Sequence, residues 1–163
     1  MPKEIERKFK VKKLPLELLE DIAPLELTQT YLQAKDGEEV RVRAINNSTF
    51  IMTMKRATNS ANVREEIEGE LTPEEYSAYL KLQIGTQIQK RRYKIPGDNG
   101  LTYELDVYQG DLEGLMVVEV EFPTEEMANS FVKPDWFGNE VTSDKRYKNA
   151  SLAKHGMPEG HDR

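Results

Sequence analysis

Between residues 3 and 122 the chain keeps returning to a two-residue alternation of charged and apolar side chains. Successive side chains of a strand point to opposite faces, so this period marks strands with one apolar side. In 3–11, Glu4, Glu6 and Lys8 share one face, while Ile5, Phe9 and Val11 share the other. In 39–43 the valines point one way and Arg41 and Arg43 the other. The same period recurs in 28–33, 50–55, 63–71, 86–95, 101–108 and 115–122, which predicts eight strands.

The charges are sorted by sign. Arg41 with Arg43 is purely basic, and so is the trio Lys90, Arg92 and Lys94. Glu104 with Asp106, and Glu119 with Glu121, are purely acidic. An ordinary wet face would mix signs along each strand, because like charges two residues apart repel. The sorting makes sense if these faces converge on a charged ligand and the apolar faces pack outward against helices. Short turns such as Asp36-Gly37 and Asn46-Asn47-Ser48 join neighbouring strands. The expected fold is α+β, mainly β: an eight-stranded antiparallel closed barrel with a polar lumen and flanking helices.

Helices fall in the gaps. The stretch 14–19 suggests a short helix with Pro15 near its first position, and Pro24 lies just past its end. Thr72-Pro73-Glu74-Glu75 is a capping box with Pro at the first turn, and Leu71 and Tyr76 are spaced as a hydrophobic staple. Gly85 is the expected stop. A helix over about 125–133 ends before Pro134, and a short one over 149–154 ends at Gly156. Residues 1–156 read as a single domain and 157–163 as a flexible tail.

Arginine and lysine suit phosphate oxygens, arginine through its bidentate fork. Carboxylates without His or Cys nearby suit a hard cation such as Mg²⁺ or Mn²⁺. A lumen holding both suits a polyphosphate chelated to metal. The 163 residues suffice for one core, and their net charge of -6 argues against a nucleic-acid partner. With no cysteine there is no disulfide frame, thiolate metal site or thiol nucleophile. No apolar run reaches membrane-spanning length and Met-Pro-Lys-Glu is not a signal peptide, so a cytoplasmic protein is expected. His155 and His161, near the terminus, are not expected to be ligands. Monomer and homodimer stay open.

These residues resemble the CYTH family of triphosphate tunnel metalloenzymes. The likeness runs from Glu4-x-Glu6-x-Lys8 through Tyr31-Leu32, Arg41-Val42-Arg43, Thr53-Met54-Lys55, Arg64-Glu65-Glu66-Ile67-Glu68 and Lys90-Arg91-Arg92-Tyr93. It continues in Glu104-Leu105-Asp106, Val118-Glu119-Val120-Glu121 and the stretch 141–149. The resemblance implies a small-molecule triphosphate in the lumen and a divalent metal. It implies that Lys8, Arg41, Arg43, Lys55, Arg64, Lys90 and Arg92 hold phosphate oxygens. By the same resemblance Glu4, Glu6, Asp106, Glu119 and Glu121 are metal-side carboxylates. Lys8 and Tyr31 are the catalytic pair it implies, with Tyr31 restraining Lys8. Glu66, Glu68, Glu104 and Lys145 are supporting residues. Lys10 departs from the pattern, which usually has an apolar residue there.

The expected activity is hydrolysis of tripolyphosphate to pyrophosphate and phosphate. Rivals are a class IV adenylyl cyclase and a nucleoside or thiamine triphosphatase, each of which needs a pocket for an organic group. A rival of another class is a non-catalytic polyphosphate-binding module. It would have no use for the acidic strands without metal.

Overall fold

A computed structural model describes residues 5–57 and 64–161. Thirteen elements follow in order: β1 (Ile5–Val11), α1 (Leu16–Leu19), β2 (Leu25–Leu32), β3 (Glu38–Ile45), β4 (Thr49–Ala57), β5 (Arg64–Leu71), α2 (Pro73–Tyr79), β6 (Gln83–Pro96), β7 (Thr102–Tyr108), β8 (Met116–Phe122), α3 (Glu125–Ser130), β9 (Phe137–Glu140) and α4 (Asn149–His155). The strands form one antiparallel sheet in the order β5-β4-β3-β2-β6-β7-β8-β1-β9. The expected Thr58–Asn62 loop, Val63 and Glu4 lie outside the described residues.

Two expectations change here. The sheet has nine strands among the described residues, not eight, and it is open, with β5 and β9 at its edges. Closure would need the second edge of β1, and β9 pairs with that edge at Phe9 and Val11. Just beyond, the Val141 amide donates to the Lys8 carbonyl and the Lys8 amide to the Thr142 hydroxyl. At the other edge Glu65, Glu66, Glu68 and Glu70 are all exposed, and such a run of charge blunts a strand edge against pairing. The short β9, with Gly138 and Asn139 inside it, carries little strand propensity and gave no alternating signal.

The apolar faces pack outward as the alternation requires. Over β1, β7 and β8, Phe9, Leu105, Val118 and Val120 are buried with Ala128 of α3 and Phe137 of β9. Over β2–β4, Leu32, Val40 and Val42 are covered by Leu71, Tyr76 and Leu80. The α2 capping box is present: the Glu75 amide donates to the Thr72 hydroxyl at 3.1 Å, and the Thr72 amide to the Glu75 carboxylate at 3.0 Å. Leu71 and Tyr76 flank it as the expected staple. Pro15 caps α1 rather than starting it, and α3 ends at Ser130, earlier than expected.

Helix α4 lies on the other, charged-parity face. Leu152 and Ala153 are buried with Tyr31 of β2, Ile88 of β6, Tyr108 of β7 and Val117 of β8, so one end of that face is apolar and plugged. Gly85 does not end α2; it lies inside β6 at a positive φ of 67°, where the β2–β6 register shifts. A Cβ there would stand 2.6 Å from the Ala153 carbonyl oxygen, so glycine lets α4 seat. The stretch 157–161, expected to hang loose, is tied back. Pro158 is buried, Arg146 Nη1 donates to the Glu159 carbonyl at 2.9 Å, and His161 Nδ1 lies 2.9 Å from the Tyr147 hydroxyl. These partners are distant in sequence, so local pattern did not show them. No helix among the described residues is long and apolar enough to cross a membrane.

Candidate active site

Residues opposed across antiparallel strands share a face, so the register maps the inner surface directly. On its acidic side Glu6 stands opposite Glu121, and Lys8 opposite Glu119. Glu119 also faces Glu104, which faces Lys94. One step toward α4, Asp106 faces Arg92; one more, Tyr108 faces Lys90. On the basic side Tyr31 stands opposite Arg41, and Gln29 opposite Arg43. Lys55 lies between Glu39 and Glu66, and Arg41 faces Thr53, which faces Glu68.

An ion-paired chain crosses the middle. Lys8 Nζ lies 3.1 Å from Glu119 Oε1 and donates to the Tyr147 carbonyl at 3.1 Å. Arg92 Nη1 is 3.5 Å from Glu104. Its Nε and Nη2 donate to the two oxygens of Asp106 at 2.8 and 3.0 Å, and Lys90 Nζ donates to the second of these at 2.8 Å. Lys90 and Asp106 are almost wholly buried, at 0% and 2% exposure. Burial alone would push the Asp106 carboxyl up, but Lys90 and Arg92 outweigh it and hold it at about 2. Burial presses the Lys90 ammonium down to about 8, against the pull of Asp106. Burial also lowers Arg92, but Asp106 and Glu104 more than reverse this and its pKa is raised. Both Asp106 oxygens are thus engaged by cations. In this arrangement Asp106 is the counter-ion of Lys90 and Arg92.

The basic side lacks such a counter-ion at Arg43. Its Nε and Nη2 donate to the neutral Gln29 Oε1 at 3.1 and 2.7 Å. Burial, Arg41 and Arg92 all lower the Arg43 pKa. Among the described residues two buried side-chain atoms have no hydrogen-bond partner, Gln29 Nε2 and Arg41 Nε, and both belong to this corner. Burial raises the Tyr31 phenol above its ordinary value, opposed by Arg41, so it is protonated at neutral pH. The expected restraint of Lys8 by Tyr31 is replaced: Lys8 is held by Glu119 and Tyr147, Tyr31 by its contact with Arg41. The reason is register, since β1 and β2 are separated in the sheet by β6, β7 and β8.

The supporting residues divide. Glu104 joins the chain through Arg92, and Glu68 accepts from the Thr53 hydroxyl at 3.2 Å. Glu66 stands in register with Lys55. Lys145 is exposed on the turn leading into α4. Arg64 opens β5, in register with Ala57. His155 is exposed at the end of α4, and His161 contacts Tyr147.

Among the described residues no three carboxylate or imidazole side chains are gathered as a ready metal cage. The donor set nonetheless fits a hard cation. Glu6 stands directly opposite Glu121, and Glu104 opposite Glu119, which brings hard oxygen donors of adjacent strands together on one face. Mg²⁺ in particular binds through one or two carboxylates plus substrate phosphates rather than a complete protein cage.

Residue-by-residue reading missed Gln29, Tyr108 and Tyr147. Gln29 carried a signal, since it shares strand parity with Tyr31. Tyr108 is buried and donates to Asn149 of α4 at 2.6 Å; only the packed helix reveals it.

A family model described as the CYTH domain matches residues 2–157. An inorganic triphosphatase of Nitrosomonas europaea is 39% identical over 151 residues, spanning 92% of this chain and 96% of that protein. An inorganic triphosphatase of Acetivibrio thermocellus is 36% identical over 157 residues, spanning 95% and 96%. The crystal structure of the inorganic triphosphatase NE1496 superposes with a TM-score of 0.75 at 38% identity, covering 94% of this chain and 95% of that one.

Proposed function

Since the chain belongs to the CYTH domain family, we propose that it is a divalent-metal-dependent inorganic triphosphatase, cleaving tripolyphosphate to pyrophosphate and phosphate. The observation that carries this reading is the division of one sheet face, the one α4 packs on at its end, into a basic side and a carboxylate side. Phosphoryl transfer needs positioning and charge neutralisation more than covalent chemistry from the protein. Arg41, Arg43, Lys55 and Arg64 take the phosphate oxygens, and Arg92 reaches in while clamped to Asp106. Lys90, sealed behind Asp106, contributes positive potential. Tyr31, protonated, donates its hydroxyl proton to a phosphoryl oxygen. Lys8, held on the carboxylate side by Glu119 and the Tyr147 carbonyl, is the cation that side offers to the scissile phosphoryl group.

Glu6, Glu119 and Glu121 are the residues that would hold Mg²⁺ or Mn²⁺, with Glu4 preceding them in the same strand pattern. When bound, the cation supplies neutralisation of phosphate charge and activation of the attacking water. An inorganic chain suits this face better than a nucleotide or thiamine ester. The apolar side chains at its end, Ile88, Tyr108 and Val117, are already packed against Leu152 of α4 rather than offered to an organic group.

The test is phosphate release from tripolyphosphate, ATP, thiamine triphosphate and pyrophosphate, each with Mg²⁺ and with Mn²⁺. Tripolyphosphate should give the highest kcat/KM. Faster turnover of ATP or thiamine triphosphate would move the protein to the corresponding hydrolase. Tight binding of tripolyphosphate without turnover would make it a binding module.

A further inference from the structure

Gln29 is wholly buried, yet half of its amide has nothing to bond to among the described residues. The orientation of that amide follows from its partner. A guanidinium only donates, so the atom facing Arg43 Nε and Nη2 is the oxygen, and the NH₂ group points away from Arg43. Buried polar groups in folded proteins are almost always satisfied, and one that is not calls for a use. The other buried side-chain atom without a partner among the described residues is Arg41 Nε, on the adjacent strand and the same face. Arg41 is the diagonal neighbour of Gln29 in the β2–β3 register, so this corner of the face holds two unmatched donors suited to an anion's oxygens.

The chemistry of the Gln29–Arg43 contact supports the same conclusion. By engaging the Nε–Nη2 edge, Gln29 fixes the guanidinium plane and leaves the Nη1–Nη2 edge for a bidentate contact with phosphate. A carboxylate at this position would fix the plane equally well. It would also neutralise Arg43, as Asp106 neutralises Arg92. The amide holds the arginine without spending its charge.

We propose that Gln29 is a substrate-contacting and positioning residue. Its carbonyl locks Arg43, and its NH₂ donates to an oxygen of the triphosphate chain next to the one Arg43 grips. The inference rests on the triphosphate reading of this face. It is tested by calorimetric binding of metal-free tripolyphosphate to the wild type, Gln29→Met, Gln29→Glu, Arg43→Ala and the double variant Gln29→Met/Arg43→Ala, beside steady-state kinetics. Gln29→Met loses the lock and the donor, and affinity should fall roughly tenfold, the scale of a lost hydrogen bond to a charged group. Gln29→Glu keeps an acceptor for Arg43 but removes the donor and cancels charge, so its loss should be larger. In both, KM should rise by more than kcat falls. In the Arg43→Ala background Gln29→Met should cost clearly less than alone, a coupling that a merely structural role would not produce. If Gln29→Met does not fold, Gln29→Glu, of the same size, carries the test. Affinity within twofold of wild type in Gln29→Glu, with Arg43→Ala weakened, overturns the inference and leaves the site reading intact. A wild type that does not bind tripolyphosphate overturns both.

Discussion

Arg43 and Arg92 project from the same covered face, two strands apart, and each lays its Nε–Nη2 edge against a neighbouring side chain. For Arg92 the neighbour is the Asp106 carboxylate; for Arg43 it is the Gln29 amide. One atom type separates the two clamps, and it reverses the electrostatics. Asp106 raises the Arg92 pKa against burial, whereas Arg43, with burial, Arg41 and Arg92 all against it, is lowered. A guanidinium paired with a buried carboxylate is part of the scaffold. One held by a neutral amide keeps its charge for a ligand. The same fork can therefore build the wall or bind what the wall encloses.

The comparison breaks most readily at Asp106. Asp106→Asn preserves shape but leaves Lys90 an uncompensated buried charge and Arg92 with Glu104 alone, which should cost about 3–5 kcal/mol of stability. Calorimetric unfolding measures this, and a loss below about 1 kcal/mol would deny the counter-ion role, given the scale for buried pairs. Tripolyphosphate should stabilise this variant more than wild type, because the ligand then supplies the missing negative charge.

Arg43→Ala is the counterpart. It removes charge held in reserve, so it should weaken tripolyphosphate binding by about 1.5–3 kcal/mol, the value of a hydrogen bond to a charged group. Stability should change far less than in Asp106→Asn. A variant that melts well below wild type yet, while folded, binds tripolyphosphate normally would place Arg43 in the scaffold after all.

The pH dependence separates the two clamps without mutation. The Asp106 carboxyl is held at about 2 in the fold, below its ordinary range. A depressed carboxylate contributes stability that is complete above its unfolded pKa and disappears as pH falls through the folded one. Roughly 2 kcal/mol should therefore vanish between about pH 4 and pH 2, and that portion of the acid transition should be absent in Asp106→Asn. The Arg43–Gln29 contact has no group titrating in that window.

On the carboxylate side, Glu6→Gln and Glu121→Gln should each lower kcat by at least about tenfold, a barrier increase of about 1.4 kcal/mol, while still binding metal-free tripolyphosphate. Near-wild-type turnover in both would remove these residues from the metal side. Thr72→Ala, far from either clamp, should cost about 1 kcal/mol of stability through the lost cap and leave tripolyphosphate affinity unchanged. A change in affinity there would mean that binding reports general stability rather than the inner face.

The sequence by itself determined strands β1 to β8, the antiparallel hairpins, the α2 cap and the sorting of charges onto one face. These are local properties: a period of two, a turn residue or a capping box acts within a few positions of the chain. It also pointed to Arg41, Arg43, Lys8 and the acidic strands, because each lies inside an alternating run. The tertiary structure decided the rest. Which carboxylate is a counter-ion depends on the register that sets Asp106 against Arg92 rather than another acid. The partner of Lys8 depends on strand order, and the open sheet on β9 taking an edge of β1. That α4 plugs the apolar end of the inner face depends on residues more than sixty positions apart meeting across Gly85. The role of Gln29 is of this second kind: an uncharged side chain in a strand gives no charge signal, and only its burial against Arg43 shows what its two ends do.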